Sequence, residues 1–161
     1  GLRGGSITHS AQTRAMTAHD PAVTSTAQSW GIPVLAMVYA RGPKVKSEWD
    51  PATVAHCARL AEELGADVVK VVYTGDPETF STVTEACCVP IVIAGGPKMD
   101  SPRDILQMAH DSIASGGAGL SMGRNIFQAE DPTRLVQALH AVVHMDYSVD
   151  QAMALLEEPI I

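Results

Sequence analysis

Four short β-branched runs, each followed by a helical pattern that opens on a capping residue and a proline, predict an α/β fold on a parallel sheet. The strand-like runs fall at Val34 to Val38, Val68 to Val72, Ile91 to Ala94 and Gly119 to Met122. The helices open at Asp50-Pro51, Asp76-Pro77, Ser101-Pro102 and Asp131-Pro132. In each, a side chain able to accept from free backbone amides precedes a proline that has no amide to satisfy. Right-handed crossovers return successive strands to the same direction, so the sheet is parallel. Two architectures compete, an open doubly wound sheet and a (β/α)8 barrel. A full barrel takes about 250 residues, and the 161 present suffice for four consecutive βα units. Glycines at the ends of the last two strands favour the C-terminal half of a TIM barrel.

Apolar spacing supports the individual helices. Val54, Ala58, Ala61 and Leu64 share one face, and Leu135, Leu139 and Val142 share another. Gly65 and Gly116-Gly117 end helices just before the next strand. Residues 1–28 follow a different grammar, rich in Thr, Ser and Ala, with a helix conceivable between Pro21 and Trp30. The expected organisation is an irregular tail or boundary remnant over 1–28, then half of a (β/α)8 barrel, strands 5 to 8 with their helices, over 29–161.

The composition, 46% hydrophobic and 18% charged, describes a core-forming globular chain. A formal net charge of -7 argues against nucleic acid or an anionic membrane as the main partner. There is no apolar run long enough to cross a bilayer and no signal-peptide pattern. Three cysteines, Cys57, Cys87 and Cys88, lack metal-site spacing, and six scattered histidines lack a paired motif. A reducing cytoplasm is expected.

Chemistry in a parallel α/β fold gathers at the carboxyl edge of the strands. The first strand ends in Tyr39-Ala40-Arg41-Gly42, where Tyr39 can move a proton and Arg41 can bind an anion. The plain alternative is an ordinary surface loop. The second strand carries Lys70 inside an apolar run. Desolvation there would push its amine toward the neutral, nucleophilic form. A lysine that snorkels to solvent or pairs with Asp67 or Asp76 is the plain alternative. The third strand runs into Gly95-Gly96 and the fourth into Gly123-Arg124. Bare glycine amides and an arginine fork both suit phosphate. Either pair alone reads as a turn. On consecutive strands they match the phosphate site that barrels build after strands 7 and 8, which makes the strand bearing Lys70 the sixth.

The segments Trp30 to Gly42, Gly65 to Lys70 with Tyr73-Thr74-Gly75-Asp76, Ala94 to Lys98, and Gly123 to Gln128 together resemble the archaeal-type class I aldolase family. The resemblance runs from about Trp30 to the C-terminus. It implies that Lys70 forms the Schiff base and that Tyr39 is the proton donor. It further implies that Tyr39, Ala40 and Arg41 line the substrate site and that Gly95, Gly96, Gly123 and Arg124 hold a sugar phosphate. Neither metal nor cofactor is required, since the protonated imine is the electron sink. The partners would be a phosphorylated keto-sugar and an aldehyde acceptor, and the assembly a homo-oligomer.

Two branches of the family fit. One transfers the enamine from a deoxy-keto sugar phosphate to aspartate semialdehyde, in aromatic amino-acid biosynthesis. The other cleaves fructose 1,6-bisphosphate to triose phosphates. The wording Ala94-Gly95-Gly96 and Asn125-Ile126-Phe127-Gln128 leans toward the first. Two departures stand out. Ala40 replaces the family's usual proline, and the first four strands, with the aspartate that acts as general acid/base, have no counterpart. A phosphate-binding but non-catalytic half-barrel is therefore a third expectation.

Overall fold

In the computed structural model of the chain, residues 22–42 and 45–157 are described. Strands β1 (Leu35–Met37), β2 (Val68–Val71), β3 (Ile91–Ala94) and β4 (Gly119–Ser121) form one sheet in sequence order, and every neighbouring pair is parallel. Helix α1 spans 22–29. Helices α2 (Pro51–Glu63), α3 (Pro77–Glu85) and α4 (Pro102–Ala114) follow the first three strands. The short α5 (Arg124–Phe127), α6 (Pro132–Met145) and α7 (Val149–Glu157) follow the fourth. Strands lying side by side in sequence order, joined by crossovers of one hand, put their helices on one face. A doubly wound sheet would cover both. The architecture is thus the half-barrel.

The helices begin where the Asp-Pro and Ser-Pro pairs place them. Asp50, Asp76 and Asp131 accept from the amides of Thr53, Thr79 and Arg134 at 2.9, 2.8 and 3.0 Å. Ser101 departs from the pattern, because its side chain makes no cap bond. Its carbonyl still accepts from Asp104 N at 3.2 Å, as the carbonyls of the three Asp caps accept from amides of their own first turns. The strands are slightly shorter than the β-branched runs. Beyond their ends, single bonds continue the pairing, such as Val38 N to the Lys70 carbonyl at 3.0 Å.

The two sheet faces differ sharply. Val69 and Ile93 are fully buried and Val71 is 1% exposed, all against the helices. Burying each contributes about 1.5–3 kcal/mol relative to leaving it in water. Register aligns Met37, Lys70, Val92 and Gly119 in one row across the opposite face. There Met37, Lys70 and Val92 are only half-buried. This is the face a complete barrel turns toward its axis.

Residues 22–29 are helical within the window the sequence suggests, and Thr24 is buried, its hydroxyl donating to the Leu64 carbonyl at 3.0 Å. Ordered structure therefore begins before residue 29. The expectation of an irregular tail over the preceding stretch, 1–21, lies outside the described residues.

Candidate active site

A pocket of about 370 Å³ opens at the carboxyl edge of the sheet. Tyr39, Arg41, Lys70, Gly95, Gly96, Gly123 and Arg124, seven of the eight residues singled out in the sequence, line it. They come from four successive strand ends, which is why the chain separates them by more than eighty positions and the sheet brings them together.

Lys70 reaches the pocket from β2, on the half-buried face. Burial pushes its amine below the ordinary 10.5. The two carboxylates that could have neutralised it are engaged elsewhere. Asp67 accepts from Val34 N at 2.7 Å, and Asp76 caps α3. Among the described residues Lys70 has no ion-pair partner, so burial acts on its amine unopposed.

Tyr39 and Arg41 leave the end of β1 together. The Arg41 guanidinium lies 5.3 Å from the centre of the Tyr39 ring. Within about 6 Å such a cation is attracted to the ring face. Glu48 stands 4.0 Å from Arg41 on its other side. Arg41 is largely solvated and Glu48 partly so, and this pair contributes little to stability. Its effect is to restrain where the guanidinium points.

The glycine-bearing side of the pocket is built from backbone. Gly96 sits at φ +63, a left-handed conformation that glycine adopts freely. At Gly95, a Cβ would come within 3.1 Å of Met122 Cγ and 3.3 Å of Asn125 Nδ2. Arg124 is exposed and opens α5. That helix has only four residues, so its dipole adds little. The positive charge at this end of the pocket is chiefly that of Arg124, with Arg41 across the opening.

Ala40 is the exception. It is 7% exposed and lines a separate cavity of about 460 Å³ between the loop after β1 and α2. The structure does not bring it into the pocket with Lys70, because alternation along the extended segment turns Ala40 away from the face that Tyr39 and Arg41 share. Glu48, Trp49 and Ser121 line the pocket and were not singled out in the sequence. Ser121 had a signal, being a polar residue paired in register with Ala94 on the inner face. Glu48 and Trp49 come from an irregular loop that offers no periodicity to read.

The pattern of the DeoC/LacD family of aldolases matches residues 7–129. A 2-amino-4,5-dihydroxy-6-oxo-7-(phosphonooxy)heptanoate synthase of Streptomyces griseus is 42% identical over 76% of this chain and 45% of its own length. A 2-amino-3,7-dideoxy-D-threo-hept-6-ulosonate synthase of Halobacterium salinarum is 46% identical over 82% of this chain and 49% of its own. The chain thus spans about half the length of the curated relatives it matches. Among solved structures, an archaeal fructose-1,6-bisphosphate aldolase with its catalytic lysine bound to the carbinolamine intermediate superposes with a TM-score of 0.82 at 34% identity. That likeness covers 87% of this chain and 57% of the aldolase. With a family pattern across most of the chain and a half-barrel that superposes on a Schiff-base enzyme, this chain belongs to the DeoC/LacD aldolase family.

Proposed function

We propose that the pocket is the ketose-phosphate site of a Schiff-base aldolase or transaldolase, most specifically a 2-amino-3,7-dideoxy-D-threo-hept-6-ulosonate synthase. The observation that carries this reading is Lys70: an amine without an ion-pair partner among the described residues, pushed toward neutrality by burial, facing the same pocket as Tyr39 and two glycine-bearing strand ends. The Lys70 amine adds to the substrate carbonyl, and loss of water gives an iminium. The iminium draws in the electron pair of the neighbouring carbon–carbon bond, which breaks to release one half of the sugar as an aldehyde and leave an enamine on Lys70. Tyr39 moves the proton that the cleavage requires. The enamine carbon then attacks the aldehyde of aspartate semialdehyde, and water releases the product and the free amine. Gly95, Gly96, Gly123 and Arg124 hold the phosphate of 6-deoxy-5-ketofructose 1-phosphate.

The 2-amino-3,7-dideoxy-D-threo-hept-6-ulosonate synthase is favoured over fructose-bisphosphate aldolase because relatives of that name are 46% and 40% identical, against 34% for the aldolase structure. The enzyme would act in a reducing cytoplasm, consistent with three free cysteines, and would assemble as a homo-oligomer. A phosphate-binding half-barrel without turnover is the second reading, since Gly95, Gly96, Gly123 and Arg124 would hold an anion whether or not Lys70 reacts.

Borohydride trapping with a keto-sugar phosphate, followed by peptide mapping, tests the proposal. Label on the peptide holding Lys70, lost in Lys70→Ala, is expected. Wild-type protein that binds phosphate but takes no label would leave only the non-catalytic reading. Robust cleavage of fructose 1,6-bisphosphate with no transfer to aspartate semialdehyde would replace the synthase by the aldolase.

A further inference from the structure

Asn125 is 3% exposed, one of few buried polar side chains among the described residues. All the hydrogen-bonding capacity of its amide that geometry can reach is turned on one loop. Nδ2 donates to the Gly95 carbonyl at 2.6 Å and to the Pro97 carbonyl at 3.1 Å, while Oδ1 accepts from Met99 N at 2.8 Å. Three bonds from one side chain span the segment between β3 and α4. Asn125 itself belongs to α5, directly after Gly123 and Arg124. It therefore fastens the two glycine-bearing strand ends of the pocket to each other.

The consequence for binding follows from the peptide unit. In a trans peptide the N–H points opposite the C=O. Drawing the Gly95 carbonyl onto Asn125 therefore aims the Gly96 N–H away from Asn125, and holding the Pro97 carbonyl fixes the Lys98 N–H likewise. Glycines have more freedom to lose than any other residue, so without this latch the Gly95-Gly96 amides would sample many directions. A preset cradle binds an anion without that ordering cost.

We propose that Asn125 is a positioning residue that locks the Gly95–Met99 loop to the start of α5 and so presets the pocket for the phosphate group of its ligand. This rests on the pocket being a ketose-phosphate site and adds the group that makes it phosphate-selective. Asn125 touches no ligand. Its whole effect is delivered through Gly95, Gly96 and the adjoining Gly123 and Arg124.

The test compares borohydride trapping on dihydroxyacetone phosphate with trapping on dihydroxyacetone, in wild type, Asn125→Ala and Asn125→Asp. Asn125→Asp keeps the acceptor for Met99 N but sets a carboxylate oxygen against the Gly95 and Pro97 carbonyls. Both variants are expected to raise the half-saturating concentration of the phosphorylated ketone by roughly tenfold, the scale of one or two lost hydrogen bonds. The maximal trapping rate, and both parameters for unphosphorylated dihydroxyacetone, stay as in wild type. A parallel loss with the two ketones, or no change with either, overturns the latch. Inorganic phosphate, followed by 31P line broadening, separates the two readings. If wild type takes no label but binds phosphate, and Asn125→Asp weakens that binding, the Schiff-base assignment falls and the latch stands. Equal phosphate binding in wild type and variants refutes the latch even where Lys70 is labelled.

Discussion

An amine that burial holds below its ordinary 10.5 is neutral over a range of pH in which a solvated lysine is still charged. In that range the unfolded chain carries the extra proton on Lys70. Burial of this residue therefore costs stability at low pH, and the cost fades as pH rises toward 10.5. For catalysis the same shift is a gain, since only the neutral amine attacks a carbonyl. The initial rate of imine trapping is expected to climb with pH and level off at an inflection clearly below 10.5. An inflection at or above that value would mean that the pocket leaves Lys70 solvated. The tyrosines separate in the same physical terms. Among the described residues the buried Tyr73 hydroxyl has no hydrogen-bond partner, and burial, with Asp111 and Asp76 nearby, pushes its pKa up to about 12. It stays protonated and lies outside the pocket. Tyr73→Phe is expected to leave carbon–carbon cleavage intact and to be neutral or stabilising, because it removes an unsatisfied buried group. Tyr39→Phe is expected to slow cleavage by a factor of 10² to 10⁴, the usual order of magnitude of general acid–base catalysis, while borohydride still traps the imine on Lys70.

The caps show how far elements can be predicted from local sequence. Three Asp-Pro pairs open helices with a side-chain bond, whereas Ser101-Pro102 opens one without. Removing the cap in Asp76→Ala should cost about 1 kcal/mol, and Ser101→Ala clearly less. Urea unfolding of the two variants checks the difference, and equal losses would mean that the Asp76 bond is inert. The fold was legible in such features because proline, cap and β-branched run each act within a few residues. The candidate site was legible for a related reason. Lys70, Tyr39 and the glycines sit at strand ends, and parallel topology brings strand ends to one edge. What remained hidden depends on distant partners. Ala40 stands between two pocket residues in the chain, yet it faces another cavity. Glu48 reaches the pocket from a loop without period, and Asn125 gains its role only by meeting a carbonyl thirty positions away.

The whole molecule presents a sheet with helices on one face and a half-buried opposite face. Its edges, β1 and β4, have no further strand beside them among the described residues. Leu35 of β1 is 37% exposed, and Trp30 and Ile32, which lead into it, are 72% and 52% exposed. Unpaired parallel edges and an apolar inner face drive association in water. The isolated chain is therefore expected to sediment as concentration-dependent oligomers. Substitution on the two faces distinguishes association through the inner face from general instability. Val92 is half-buried in the row that holds Lys70, whereas its neighbour Ile93 is fully buried against the helices. Val92→Glu should shift the chain toward monomer while keeping a cooperative melt, since a charge on the open face disturbs only what docks there. Ile93→Glu should abolish the melt, because its carboxylate would be buried without a partner. A wild-type monomer at all concentrations would mean that the inner face tolerates water as it stands. Oligomers that survive Val92→Glu would place the contact on the edges or on the exposed Trp30 and Ile32, and would leave the face around Lys70 open to substrate.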